Sequence, residues 1–180
     1  MIKTIDIQSG ETAGLYQYLS AAVTPRPIAF VSTIDAEGNE NLSPFSFFNV
    51  FSINPPILVF SPVRRVRNNT SKHTLDNVNQ VKECVISIVT DEIAQQVSLA
   101  SSDFDKETNE FEKAGFTAIK SDLISPSRIK ESPINFECKV NEVITLGKEG
   151  GAGSLVLCEV LKMHIDESIL DKNNAIDPFK

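Results

Sequence analysis

Short segments rich in β-branched and aromatic residues, joined by turns too short to hold a crossover helix, constrain this chain's fold most. Pro27-Ile28-Ala29-Phe30-Val31-Ser32-Thr33-Ile34-Asp35 reads as a strand. Ala36-Glu37-Gly38-Asn39 follows as a tight turn, with Gly38 free to take the positive φ a hairpin needs. A second strand then runs from Asn41 to Phe48, and a third from Ile57 to Ser61 after the Asn54-Pro55-Pro56 break. Farther along, Cys84 to Val89 is apolar on both faces, and Phe136 to Leu146 and Ser154 to Asp166 are long strands around the flexible loop Lys148 to Gly153.

Helical signals are fewer. Leu75, Val78 and Val81 recur at spacings of three within Ser71 to Val81, with Asn69, Thr70 or Ser71 available as the cap. Residues 91–114 read as a broken helix, with Ile93, Val97 and Ala100 on one face, and Ile119 to Ser132 is polar and irregular. Roughly six strands with helices inserted between them, mostly linked by hairpins, predict an antiparallel barrel rather than a parallel α/β sheet. A length of 180 residues fits a single domain over 1–180.

Charge narrows the partners. The 17 basic and 24 acidic side chains leave a net charge of −7, too acidic for a general nucleic-acid or membrane-surface binder. No apolar run approaches the roughly 20 residues that span a bilayer. The N-terminus, Met1-Ile2-Lys3-Thr4-Ile5-Asp6, lacks the charged head and apolar core of a secretory signal, so a cytoplasmic location is expected. The acids, however, are unevenly spread: the 35 residues between Glu40 and Asp76 contain none, but hold Arg64, Arg65, Arg67 and Lys72. Residues 24–74 carry a net +2 and the remainder −9. Buried strand excludes acids, but it excludes Arg and Lys equally, so the window favours a site for a small anion such as a phosphate.

Several chemistries find no support. GxGxxG, a P-loop, HExxH, CxxC and GxSxG are all absent. Cys84, Cys138 and Cys158 are widely spaced within strand-like segments and read as buried free thiols, with no metal site expected. His73 and His164, the two histidines, have no visible orienting partner in sequence, so no catalytic side chain is assigned.

At Thr24-Pro25-Arg26-Pro27-Ile28-Ala29-Phe30-Val31-Ser32-Thr33, Asn41-Leu42-Ser43-Pro44-Phe45-Ser46-Phe47-Phe48-Asn49 and Asn54-Pro55-Pro56-Ile57, the sequence resembles the flavin reductase-like, FMN-binding split-barrel family, to which flavoredoxin and the reductase component of nitrilotriacetate monooxygenase belong. The likeness continues through Lys72-His73-Thr74, Phe136-Glu137-Cys138 and Gly153 to Asp166, about residues 16–170 in all. It implies a six-stranded Greek-key split barrel, a homodimer holding FMN near its interface, and reduction of flavin by NADH or NADPH for a monooxygenase or other electron-accepting partner. A flavoredoxin-like electron carrier is the alternative. Many nicotinamide-using relatives carry Gly-Asp-His before the last strand, where this chain reads Gly151-Ala152-Gly153-Ser154.

The physical demands of FMN distribute the candidate residues. Its phosphate needs charge-assisted donors, for which Lys72, His73 and Thr74 match the family's phosphate-side motif at the start of a predicted helix. Thr74 is otherwise a cap and Lys72 a solvated lysine. Ser61 adds a hydroxyl, and Arg26 approaches the ribityl chain or phosphate. The flavin ring needs a flat apolar slot, which the resemblance assigns to Ser43, Pro44, Phe45 and Ser46, with Ser32 and Thr33 matched on the first strand. Strand alternation directs Ser43 and Phe45 to one face and Pro44 and Ser46 to the other, so some contacts must be main-chain. Phe45, Phe47 and Phe48 read first as barrel core. Arg64, Arg65 and Arg67 meet phosphates or form a solvated basic loop.

Overall fold

A strand apolar on both faces must be covered on both, and β1 (Ala29–Ile34) is buried along almost its whole length. The computed structural model describes residues 1–7, 12–102, 104 and 108–180. Its other strands are β2 (Glu40–Phe45), β3 (Phe48–Ile53), β4 (Pro56–Phe60), β5 (Glu83–Ile88), β6 (Ala118–Ile119), β7 (Arg128–Ile129), β8 (Ile134–Thr145) and β9 (Ser154–Ile165). Seven of them form one antiparallel sheet ordered β2-β1-β5-β8-β9-β4-β3, and β6 pairs with β7 separately.

The sheet has seven strands rather than the expected six because the segment Asn41 to Phe48 is not one strand. It breaks at Ser46-Phe47, and its halves go to opposite edges of the sheet. Pro44, which cannot donate to a ladder, sits on the edge strand β2, where only one side is paired.

Alternation along β1 feeds two cores. Ala29 and Val31 join Phe45, Phe60, Ile86, Val140 and Val156 inside the curled sheet. Phe30 points the other way into a second cluster with Leu42, Val97, Phe111 and Ile129, and its ring meets Phe116 edge-on at 5.0 Å. The covering helices are α3 (Ala94–Ala100) and α4 (Glu110–Ala114), the latter capped by the Asn109 side chain and ended by Gly115 at φ 74°. The expected broken helix over 91–114 therefore has a packing purpose. All three cysteines are buried and free, with Cys84 Sγ 3.7 Å from Cys158 Sγ.

The helix expected over Ser71 to Val81 is shorter, α2 (His73–Gln80), and Leu75 and Val78 plug the inner core. None of the three proposed caps serves. Lys72 occupies the N-cap without a side-chain bond, and the Ser71 hydroxyl donates instead to Asp76. A further helix, α1 (Thr12–Ala22), has no counterpart in the sequence reading. Its apolar residues Tyr16, Tyr18 and Leu19 remain exposed, so it lacks the one buried face that makes a helix legible. Among the described residues no helix is long and apolar enough to cross a membrane.

The irregular connection over 119–132 is held by carboxylates. Backbone N–H groups of Asp122 and Leu123 donate to Glu137, that of Ser125 to Glu83 and that of Ser127 to Glu40, at 2.7–3.0 Å. Glu137 is fully buried and also meets His164 Nε2 at 2.7 Å. Burial pushes the Glu137 carboxyl up, but the two backbone donors and His164 outweigh it and hold it below the usual carboxylate range. Its contribution to stability is thus present above the unfolded-state pKa and lost as pH falls through the lower folded value. Glu137→Gln should lower the unfolding free energy at neutral pH by about 2 kcal/mol, with the parent and variant curves converging in acid. Urea denaturation across pH measures this, and equal stability at neutral pH would contradict it.

Candidate functional site

Two residues, Ser46 and Phe47, join strands that lie at opposite edges of the sheet. The sheet must therefore curl until its edges meet at this corner. There the Phe45 and Phe60 rings pack 5.2 Å apart, and the Ser61 N–H donates to the Phe47 carbonyl at 2.8 Å. Because β2 and β3 do not pair with each other, the corner stays open.

A cleft of about 190 Å³ occupies the opening. Pro44, Phe45, Tyr16 and Val63 give it apolar walls, and Ser46, Ser61 and Lys72 supply polar atoms. Lys72 also borders a smaller polar cleft with Ser43, Arg65, His73, Thr74 and Glu110. Leu75 and Asp76 N–H both return to the Lys72 carbonyl, so the His73 and Thr74 N–H groups at the start of α2 have no helical acceptor. Free N–H groups, the helix dipole and a half-buried ammonium together favour an anion.

The loop presenting Lys72 is braced by two of the arginines. Arg64 donates to the Asn69 side chain at 2.7 Å and to its carbonyl, and Arg65 donates to Thr70 and to the Ser71 carbonyl. Arg67 is exposed. Thr74 Oγ1 accepts from Asn41 Nδ2 at 2.9 Å, which fixes the start of α2 against β2. Glu110 accepts the Leu42 N–H at 3.1 Å, and burial pushes its carboxyl up.

A flat apolar slot beside a polar anion pocket, bridged by one lysine, fits the ring and phosphate of FMN by donor chemistry. Gly153 packs against Ser61: a Cβ there would lie 2.7 Å from Ser61 Oγ, so a side chain at 153 would displace that hydroxyl.

Eight of the eleven sequence candidates thus converge: Ser43, Pro44, Phe45, Ser46, Ser61, Lys72, His73 and Thr74. Three do not. Ser32 and Thr33 are fully buried in β1; Thr33 accepts from Asn77 of α2, and Ser32 Oγ has no hydrogen-bond partner among the described residues. Arg26 donates to the carbonyls of Ser20 and Val23 at the end of α1 and lies over the Phe47 ring, 5.8 Å from its centroid. Phe45 is core, as expected, and Phe48 packs on it. Phe47 corrects that expectation: it is 36% exposed and faces Tyr16, because the bend turns it outward. Tyr16, Val63 and Glu110 line the clefts without having been singled out: Tyr16 and Glu110 arrive from helices distant in sequence, and Val63 from the loop just after Ser61.

Comparisons with known proteins bear on the same region. A family model for the flavin reductase like domain matches residues 21–177. An uncharacterized protein of Aquifex aeolicus (strain VF5) is 39% identical over 165 residues, 91% of this chain and 82% of its own. Nitrilotriacetate monooxygenase component B from Bacillus cereus superposes with a TM-score of 0.91 at 28% identity, covering 98% of this chain and 87% of that one. The 2-nitrobenzoate 2-nitroreductase NbaA of Pseudomonas fluorescens gives 0.85 at 30% identity, covering 97% and 83%. The match includes every described lining residue of the two clefts except Tyr16, and the chain belongs to the flavin reductase like domain family.

Proposed function

We propose that the protein is an FMN-binding oxidoreductase that reduces flavin with NADH or NADPH and hands the electrons to a partner. The observation that carries this reading is Lys72, which borders both the apolar slot at the split corner and the polar cleft at the start of α2. When bound there, FMN would supply the two-electron chemistry. Lys72 and the first N–H groups of α2 hold the phosphate and set the depth of the ring. Pro44, Phe45 and Tyr16 exclude water, and the Ser46 and Ser61 hydroxyls meet polar ring edges. No side-chain nucleophile or acid is required, since transfer between stacked rings needs contact and orientation alone. Similarity to a monooxygenase component supports an electron-accepting partner.

A homodimer completes the site in this reading. Ligand pockets usually enclose roughly 300–1,000 Å³, more than the 190 Å³ of the corner cleft, so a further wall is needed. The edge strand β3 offers a surface for one: Val50, Phe51 and Ile53 are 53%, 68% and 82% exposed. The alternative, a flavoredoxin-like carrier, is favoured by one observation. The loop before β9 reads Gly151-Ala152-Gly153, without the titratable side chain that nicotinamide-using relatives place there.

Anaerobic mixing of FMN-loaded protein with NADH and NADPH separates the two. Flavin bleaching by either donor is the expected result; bleaching by dithionite alone would select the carrier, and failure to load FMN would reject both. Glu110 gives an independent test. Its carboxylate borders the anion cleft, so Glu110→Gln should tighten FMN binding about fivefold, or about 1 kcal/mol, in fluorescence titration. Weaker binding would mean that the phosphate lies elsewhere.

A further inference from the structure

Beside the corner cleft lies a second, larger one of about 410 Å³ between α1 and the loop after β4. Leu15, Tyr16 and Leu19 of α1 form one wall, and Phe47, Val63 and Val66 the other. Tyr16, Phe47 and Val63 belong to both clefts, so the two are continuous. Among the described residues no charged side chain lines the larger one. Its floor is rigid: Arg64 N–H donates to the Ala152 carbonyl, and Gly151 N–H returns to the Arg64 carbonyl. Gly150 lies so close that a Cβ would stand 2.9 Å from Val66 Cα.

We propose that this cleft binds the electron acceptor, an uncharged, flat, conjugated organic molecule of the quinone type. The proposal rests on the flavin reading above and adds the substrate class. Burying a charge without a partner is costly, so the described walls, which carry no ionic group, favour an uncharged guest over anions and cations alike. The pyrophosphate of a nicotinamide dinucleotide is better served by the donors around Lys72 and the start of α2. The volume falls in the range of small-molecule pockets. The tilted Tyr16 and Phe47 rings, 6.3 Å apart, present aromatic surface to a flat guest. A second copy of the chain is the less suitable occupant, because the cleft is concave whereas the exposed apolar residues of β3 form a strand edge. The step balances: reduced flavin gives up a hydride, the quinone takes it with one proton from water, and oxidised flavin and a quinol result.

Nile red, an uncharged flat dye that fluoresces in apolar surroundings, reports binding without turnover. It is titrated into the full chain, then displaced with menadione, a two-ring quinone. Leu19 and Val66 are 53% and 62% exposed and lie outside the corner cleft, so Leu19→Asp and Val66→Asp leave the fold intact. The expected result is one dye per chain, displaced by menadione, with each variant weakening both ligands at least tenfold and FMN affinity unchanged within twofold. Absence of saturable binding, or binding unaffected by both variants, would overturn the proposal. So would a dimer that dissociates in Leu19→Asp, since the cleft would then be filled by the second copy. FMN titration, run separately, tells the two readings apart: loss of menadione binding with FMN bound defeats this proposal alone, and failure of FMN to bind defeats the flavin reading and the acceptor role with it.

Discussion

The two-residue link between β2 and β3 sets the geometry on which the rest depends. Strands at opposite edges of a seven-stranded sheet cannot be joined by Ser46 and Phe47 unless the sheet curls nearly to closure. Curling encloses the inner core of Ala29, Val31, Phe45, Phe60 and Val156. It also leaves one seam unpaired. At that seam the backbone of Phe47 is pinned by Ser61, and the hydroxyls of Ser46 and Ser61 remain at the mouth of a cleft instead of within a ladder. The place where the barrel fails to close is thus the place where the proposed flavin cleft opens.

The charge pattern follows from the same geometry. Arg64 and Arg65 are spent on the carbonyls and side chains of residues 69–71, which stiffens the loop that delivers Lys72 to the start of α2. The acid-free window therefore holds positive charge in two roles, bracing the loop and facing the cleft. The acids have a structural role elsewhere: Glu40, Glu83 and Glu137 accept backbone N–H groups of Asp122, Leu123, Ser125 and Ser127 in the irregular stretch between β6 and β7.

The strands were legible because β-branched residues and hairpin turns are local signals. The break at Ser46-Phe47 was not, since apolar residues continue through Phe45, Phe47 and Phe48 and nothing local marks a change of edge. Pro44 was a hint, but edge position is a property of the whole sheet. Family motifs pointed to residues that line the corner cleft and the start of α2, because those residues are contiguous in sequence. Ser32 and Thr33 lie apart from the clefts, because β2 and β5 flank β1 and bury it. Glu110 was invisible: it reaches Leu42 across 68 residues of sequence. Helix α1 was missed because its value is to wall a cleft rather than to bury a face.

The central claim is that the split corner and the start of α2 together hold one flavin by ring and phosphate. Riboflavin and FMN share the ring and differ in the phosphate alone, so comparing their affinities for the chain by fluorescence titration at fixed ionic strength isolates the anion site. FMN should bind at least ~100-fold more tightly, the worth of about two charge-assisted hydrogen bonds. Equal affinities would show that Lys72 and the α2 N-terminus do not meet a phosphate, and the account of the site would be wrong.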